Sequence, residues 1–296
     1  MKRLFLYSMC VSTLAFTACN PDQDVNGTGT LSLRITDAPT DAGNIAGVYI
    51  TVDHVEYRHN GKWHEFKSFQ GPKTINLLEL TEGKTELLGD FIVEAGEYSE
   101  LRFVLDAASN GGKADRETDL KTYIAFIDGT TAPLYVPSGT QSGYKAKGSF
   151  AVPMNGTVFI TADFDVRKSV VQSGESGKWI LKPVIRLVVN DQAGSIEGTL
   201  QNIREGEQYV AYAYANETYT EEEAKLPEEG QIQFPGAVSS TRVHADGSFN
   251  LAFLAPGKYD IIISAQDAEG NFLNVVANLD DVEVSSLQNS EIVLTF

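Results

Sequence analysis

Cysteine is nearly missing from this 296-residue chain: only Cys10 and Cys19 are present. Cys10 lies in an apolar leader, so a mature chain would keep one thiol at most. That excludes a disulfide scaffold and a thiolate metal cluster. Histidine is scarce as well, with four residues and no His-Glu-x-x-His run. Positive charge is short, with 23 Lys and Arg against 40 Asp and Glu, a formal charge of −17. Such a surface repels nucleic acid and anionic headgroups, so no nucleic-acid partner is expected. Beyond the leader, no apolar run is long enough to cross a hydrocarbon core of about 30 Å. An exported chain of this length without disulfides has to be held together by hydrophobic cores.

What is present begins at the N-terminus. Lys2 and Arg3 precede an apolar run from Leu4 to Phe16, and the small pair Thr17-Ala18 then leads to Cys19. This is the layout of a bacterial lipoprotein signal, with residues 1–18 removed and Cys19 acylated as the first mature residue. The alternative is a plain secretory leader cut near Ala18. Removal of Lys2 and Arg3 takes the charge from −17 to −19, so membrane attachment would rest on the acyl chains, at least two for a stable anchor. The expected location is the cell envelope, lipid-anchored to the outer membrane or cell surface. Residues 19–30 are polar and rich in Gly and Asp, which reads as a flexible tether.

From there the pattern is β throughout. Leu31, Leu33 and Ile35 alternate with Ser32, Arg34 and Thr36, as in a half-buried strand. Gly47 to Tyr57 leads through Asn60-Gly61 into Lys62 to Phe66, a predicted hairpin. Further strands are predicted at 97–105, 122–127, 133–136, 148–152, 156–165 and 178–189. In the last of these, Pro183 predicts an edge position or a bulge, because proline cannot donate to a ladder. Turn residues at 190–194 separate residues 31–190 from 194–296. In the second part, Val210, Tyr212 and Tyr214 alternate with alanine, Glu221 to Lys225 is a short helix and 230–237 a loop. The expectation is an all-β chain of two tandem β-sandwich domains after a lipoprotein signal and a flexible tether.

Several constellations bear on chemistry. Asp37 and Asp41 flank Ala38-Pro39-Thr40 and could offer oxygens to calcium; the plainer reading is an Asx-turn closing the first strand. His54 and Glu56 share a strand face, and His64 across the turn would complete a zinc site, against solvated hairpin side chains. Ser138 and Ser142 sit in a Gly-rich turn without a Gly-x-Ser-x-Gly elbow. Asp163 and Asp165 share a face and could work as a carboxylate pair, or be ion-paired to Arg167 and Lys168. Trp63, Trp179, Tyr209, Tyr212, Tyr214 and Tyr219 are candidate stacking platforms for sugar rings, with core packing the plainer role for Trp179.

Ile35-Thr36-Asp37-Ala38-Pro39, Val136-Pro137-Ser138-Gly139, Asp163 to Ser169 and Ile180 to Arg186 together resemble domain-of-unknown-function family 4382, over about residues 29–190. The resemblance implies a β-rich exported domain of the kind carried by lipoproteins of Bacteroidota, with no established activity and no catalytic residues to transfer. Asp246-Gly247-Ser248-Phe249 and Leu254-Ala255-Pro256-Gly257-Lys258-Tyr259 are similar to the carboxypeptidase regulatory-like, or transthyretin-like, sandwich. That likeness implies a structural or interaction module. The reading is therefore a non-enzymatic envelope lipoprotein that binds a glycan or protein ligand or serves a structural, adhesive end. It needs no cofactor, calcium at Asp37 and Asp41 apart. The alternatives are a pilus- or adhesin-like subunit and a metal-dependent or glycan-directed hydrolase.

Overall fold

The computed structural model describes residues 27–38, 44–109, 120–137, 143–174, 177–227 and 231–296. Cys19, Asp41, Ser138 and Ser142 lie outside the described residues. The N-terminal half opens with β1 (Thr28–Ala38). β2 (Ile45–His59) then turns at Asn60 and Gly61, with φ of 49° and 76°, into β3 (Lys62–Glu65). Positive φ at both central residues matches the right-handed twist of the two strands, which is why Asn-Gly closes the hairpin here. β4 (Lys73–Asn76), β5 (Glu86–Glu94), β6 (Gly96–Leu105), β7 (Ala108–Ser109), β8 (Tyr123–Phe126), β9 (Thr131–Val136), β10 (Tyr144–Val152) and β11 (Thr157–Asp165) follow. A single helical turn, α1 (Val166–Ser169), leads to β12 (Val170–Gln172), β13 (Trp179–Leu181) and β14 (Ile185–Val189).

Among the described residues these strands form one sheet, in the order β12-β13-β9-β8-β2-β6-β10-β14-β11-β1-β5, with β3 and β4 also on β2 and β7 also on β9. The sheet curls on itself. Phe66, just after β3, stacks on Phe91 of β5 at 4.1 Å, and Lys73 of β4 reaches Glu86 of β5 at 2.8 Å. One core fills the curl, with Leu31, Leu33, Ile35, Ile50, Phe103 and Phe164 fully buried. β1 is covered on both faces, which corrects the half-buried expectation. It lies between parallel β11 and antiparallel β5, and the Thr36 hydroxyl sits 2.8 and 2.7 Å from the carbonyl oxygens of Leu80 and Lys84.

The strand predicted over 178–189 is two strands. β13 pairs with β9 and β12, whereas β14 pairs with β10 and β11. Pro183 sits in the break. The amide of Val184 donates to Ser169 Oγ at 2.9 Å and that of Lys182 to the Ser169 carbonyl at 2.7 Å, so α1 satisfies the donors on either side of the proline.

After a 3-10 turn at Asn190–Gln192 come β15 (Gly194–Gln201), β16 (Gln208–Ala215), β17 (Ser239–Val243), β18 (Ser248–Leu254), β19 (Gly257–Gln266), β20 (Phe272–Val284) and β21 (Asn289–Thr295). β18-β15-β21 make one sheet and β17-β16-β19-β20 another. Ile196, Leu200 and Leu251 of the first meet Ala211, Ile261 and Ile263 of the second in a sandwich core. Strand alternation sends the remaining β16 residues to the far side. There Val210, Tyr212 and Tyr214 join Ile262 beneath Phe234 and Ala237 of the β16–β17 connection. Glu223 ties that connection down, accepting from Tyr214 Oη and from the Gly236 amide at 2.8 Å each. The short helix predicted from Glu221 is a 3-10 turn, Glu221–Ala224. The chain is all-β as expected. No helix among the described residues is long and apolar enough to cross a membrane.

Candidate functional site

Two of the acidic residues singled out by sequence, Asp37 and Asp165, build a joint between the two halves. Asp165 is the N-cap of α1, with Oδ1 accepting from the Lys168 amide at 3.0 Å. Asp37, buried at the end of β1, accepts from the Val166 amide with Oδ1 at 3.0 Å. Two carboxylates thus meet the otherwise unpaired amides that open a helical turn. The turn projects Arg167 and Lys168 onto the β16–β17 connection. Arg167 Nη1 donates to the carbonyls of Gln233 (2.6 Å) and Phe234 (2.9 Å), and Lys168 Nζ donates to that of Ala237 (2.6 Å). Arg167 is only 5% exposed, and its guanidinium also lies 5.3 Å from the Tyr212 ring centre. A second brace joins the halves where His244 Nε2 meets Glu82 Oε1 at 2.8 Å and the Asn250 amide donates to the Glu82 carbonyl at 3.3 Å.

Beside the Arg167 clasp lies a cleft of about 270 Å³ that both halves line. Ile45, Val166, Arg167, Val170 and Trp179 come from the N-terminal half; Tyr212, Ile232, Gln233, Phe234, Gln266, Gly270 and Phe272 come from the C-terminal half. The aromatic rings are continuous on each side. Trp179 stands against Phe126 at 5.7 Å, while Tyr212, Phe234 and Phe272 form a row with centroid spacings of 4.4 and 5.7 Å. Trp179 and Phe272 are half-buried and form the rim; Tyr212 and Phe234 are buried at the base. The charged and amide side chains of this mostly apolar wall are Arg167, Gln233 and Gln266, the last 5% exposed. No carboxylate is among the described lining residues.

The rim beside Gly270 is shaped by a tight turn. Asp267 Oδ1 accepts from the amides of Glu269 (3.0 Å) and Asn271 (2.8 Å), and Oδ2 accepts from Asn271 Nδ2 at 2.9 Å. The Asn271 side chain first, then the backbone amides, hold the Asp267 carboxyl below its usual range. Gly270, at φ 86°, supplies the left-handed position the turn needs.

The other sequence candidates fall elsewhere. In the β2–β3 ladder His64 is opposite Tyr57 and Glu65 is opposite Glu56, so His64 points away from the face of His54 and Glu56. The zinc arrangement is therefore not formed. His54 pairs with Asp53, His59 with Glu94, and Glu56 with Arg102. Asp163 pairs with Arg186 rather than with Arg167. Among the described residues no group of three His, Cys, Asp or Glu is placed to hold a metal ion. Tyr209, Tyr212 and Tyr214 are core residues, and Trp63 lies under the Arg102 guanidinium at 3.8 Å. Sequence reasoning missed Phe234, Gln266 and Phe272. Ile232 and Phe234 within a predicted loop were the available signal, since two large apolar residues there must find a surface to cover.

A family described as Domain of unknown function (DUF4382) matches residues 28–183, more than half of the chain. No curated protein matches the chain. Among solved structures, a putative carbohydrate binding protein from Pseudomonas aeruginosa is 19% identical, covering 37% of this chain and 92% of its own, with a TM-score of 0.24. BcpA, the major pilin subunit of Bacillus cereus, is 11% identical over 90% of this chain and 70% of its own, with a TM-score of 0.21. The shaft pilin SpaA from Lactobacillus rhamnosus GG is 10% identical over 90% of this chain and 97% of its own, with a TM-score of 0.22.

Proposed function

The chain belongs to the family of the domain of unknown function DUF4382, and from that premise we propose that it is a non-catalytic binding module of a bacterial cell envelope, anchored through an acylated Cys19. The observation that carries the binding role is the cleft lined by Trp179, Phe234, Gln266 and Phe272. Ligand sites are mostly apolar concavities with a few placed polar groups, and they favour the junctions between domains. This cleft has all three attributes. Its volume is near the lower end of the few hundred Å³ usual for such sites, which fits one or two small rings. A binding role is supported by the make-up of the cleft, whose described lining carries no histidine and no carboxylate, while His54, His59 and His244 each face an acidic partner elsewhere.

The test uses the two tryptophans. In a Trp63→Phe protein, Trp179 is the sole indole and reports on the cleft. Titration with neutral oligosaccharides, with tetrapeptides and with medium-chain fatty acids is expected to give a saturable change in its emission for one of these classes. If emission stays flat with every class, the cleft is a packing gap and the binding role is wrong.

A further inference from the structure

We propose that the cleft takes a neutral saccharide, one sugar ring lying against Trp179 with its hydroxyl edge directed at Gln266; this rests on the reading of the cleft as a ligand site. The argument proceeds by charge and then by shape. A cationic ligand would need a carboxylate, and none is among the described residues of the wall. For an anion the wall offers only Arg167, whose Nη1 is engaged by the carbonyls of Gln233 and Phe234, on a chain carrying a formal charge of −17. The described wall therefore suits a neutral ligand better than a charged one.

Among neutral ligands, a wholly apolar one would give the amide side chains of the wall, Gln233 and Gln266, no partner, which is costly for polar groups being covered. A sugar ring has an apolar C–H face for the half-buried rims of Trp179 and Phe272, and hydroxyls on its edge that can both donate to and accept from a primary amide. Trp179 from one half and Phe272 from the other both line the cleft and offer such a ring two aromatic surfaces.

Isothermal titration of the full mature protein tests this. The probes are hexasaccharides of glucose (α-1,4 and β-1,4), mannose and N-acetylglucosamine, with tetrapeptides and fatty acids as comparison. At least one hexasaccharide is expected to bind. Trp179→Ala should weaken it more than about tenfold, Gln266→Leu by about tenfold, and the remote Trp63→Phe not at all. Circular dichroism and the unfolding midpoint show whether each variant is folded; Trp179→Phe, which keeps a ring, should retain most of the affinity. Saturation by a peptide or fatty acid with no saccharide bound would overturn the saccharide and leave the binding role standing. Saccharide binding that both cleft variants leave unchanged would overturn the site. No binding of any probe would overturn both readings.

Discussion

Arg167 Nη1 and the carbonyl of Phe234 are 2.9 Å apart across the junction of the two halves, with the Gln233 carbonyl at 2.6 Å from the same nitrogen. The residues that place Arg167 there were the ones that looked chemical in the sequence. Asp37 and Asp165 start the turn, and Arg167 and Lys168 leave it toward the β16–β17 connection. One carboxylate from each of two separate sequence pairs, Asp37 and Asp165, is thus the foundation of a clasp, and the clasp holds Phe234 at the base of the cleft.

Removing the clasp should be felt in stability. Arg167→Ala leaves two carbonyls without their charged donor, and the expected loss is about 2 kcal/mol. Arg167→Lys should recover only part of it, because an ammonium lacks the planar fork. Urea unfolding measures both; a change under a few tenths of a kcal/mol for the alanine variant would mean the clasp is incidental.

Asp37 separates a cap from a cation ligand. As a cap on Val166 it should be worth about 1 kcal/mol, so Asp37→Ala is expected to lower the unfolding free energy equally in EDTA and in millimolar calcium. A loss seen only with calcium present would instead assign Asp37 and Asp41 to a cation.

The rim turn gives a pH dependence of known sign. Hydrogen bonds from Asn271 and the backbone lower the Asp267 pKa in the folded state below its ordinary 3.8. The stability it contributes is therefore complete above the unfolded value and is lost as pH falls through the lower folded value. Carboxyl NMR titration should find Asp267 titrating below 3.8, and Asp267→Ala should flatten the acid limb of the stability curve. A titration at or above 3.8 would refute the assigned hydrogen bonds.

Anchoring has its own test. Cell fractionation should place the wild-type chain with membranes and release Cys19→Ala into the soluble fraction. Equal membrane association of the two would rule out acylation of Cys19 as the anchor.

The strand pattern was legible because period-two alternation and the Asn60-Gly61 pair are local signals. The break at Pro183 was half legible: proline marked the spot, but that β13 and β14 leave for different neighbours depends on pairing partners far away in sequence. Asp37 was read as an Asx-turn or a cation ligand, and its partner, Val166, is 129 residues away. The cleft was largely hidden, since Trp179 and Phe234 meet only through the packing of the halves. Trp179 was read as a core residue; it does pack against the N-terminal core, and its remaining half-buried side lines the cleft.

Hydrogen–deuterium exchange of the protein, with and without a saturating hexasaccharide, tests the central claim most directly. The account predicts slowed exchange at Trp179–Leu181, at residues 231–237 and at Gln266–Phe272. Slowing centred instead on other surfaces, or no slowing anywhere, would contradict it.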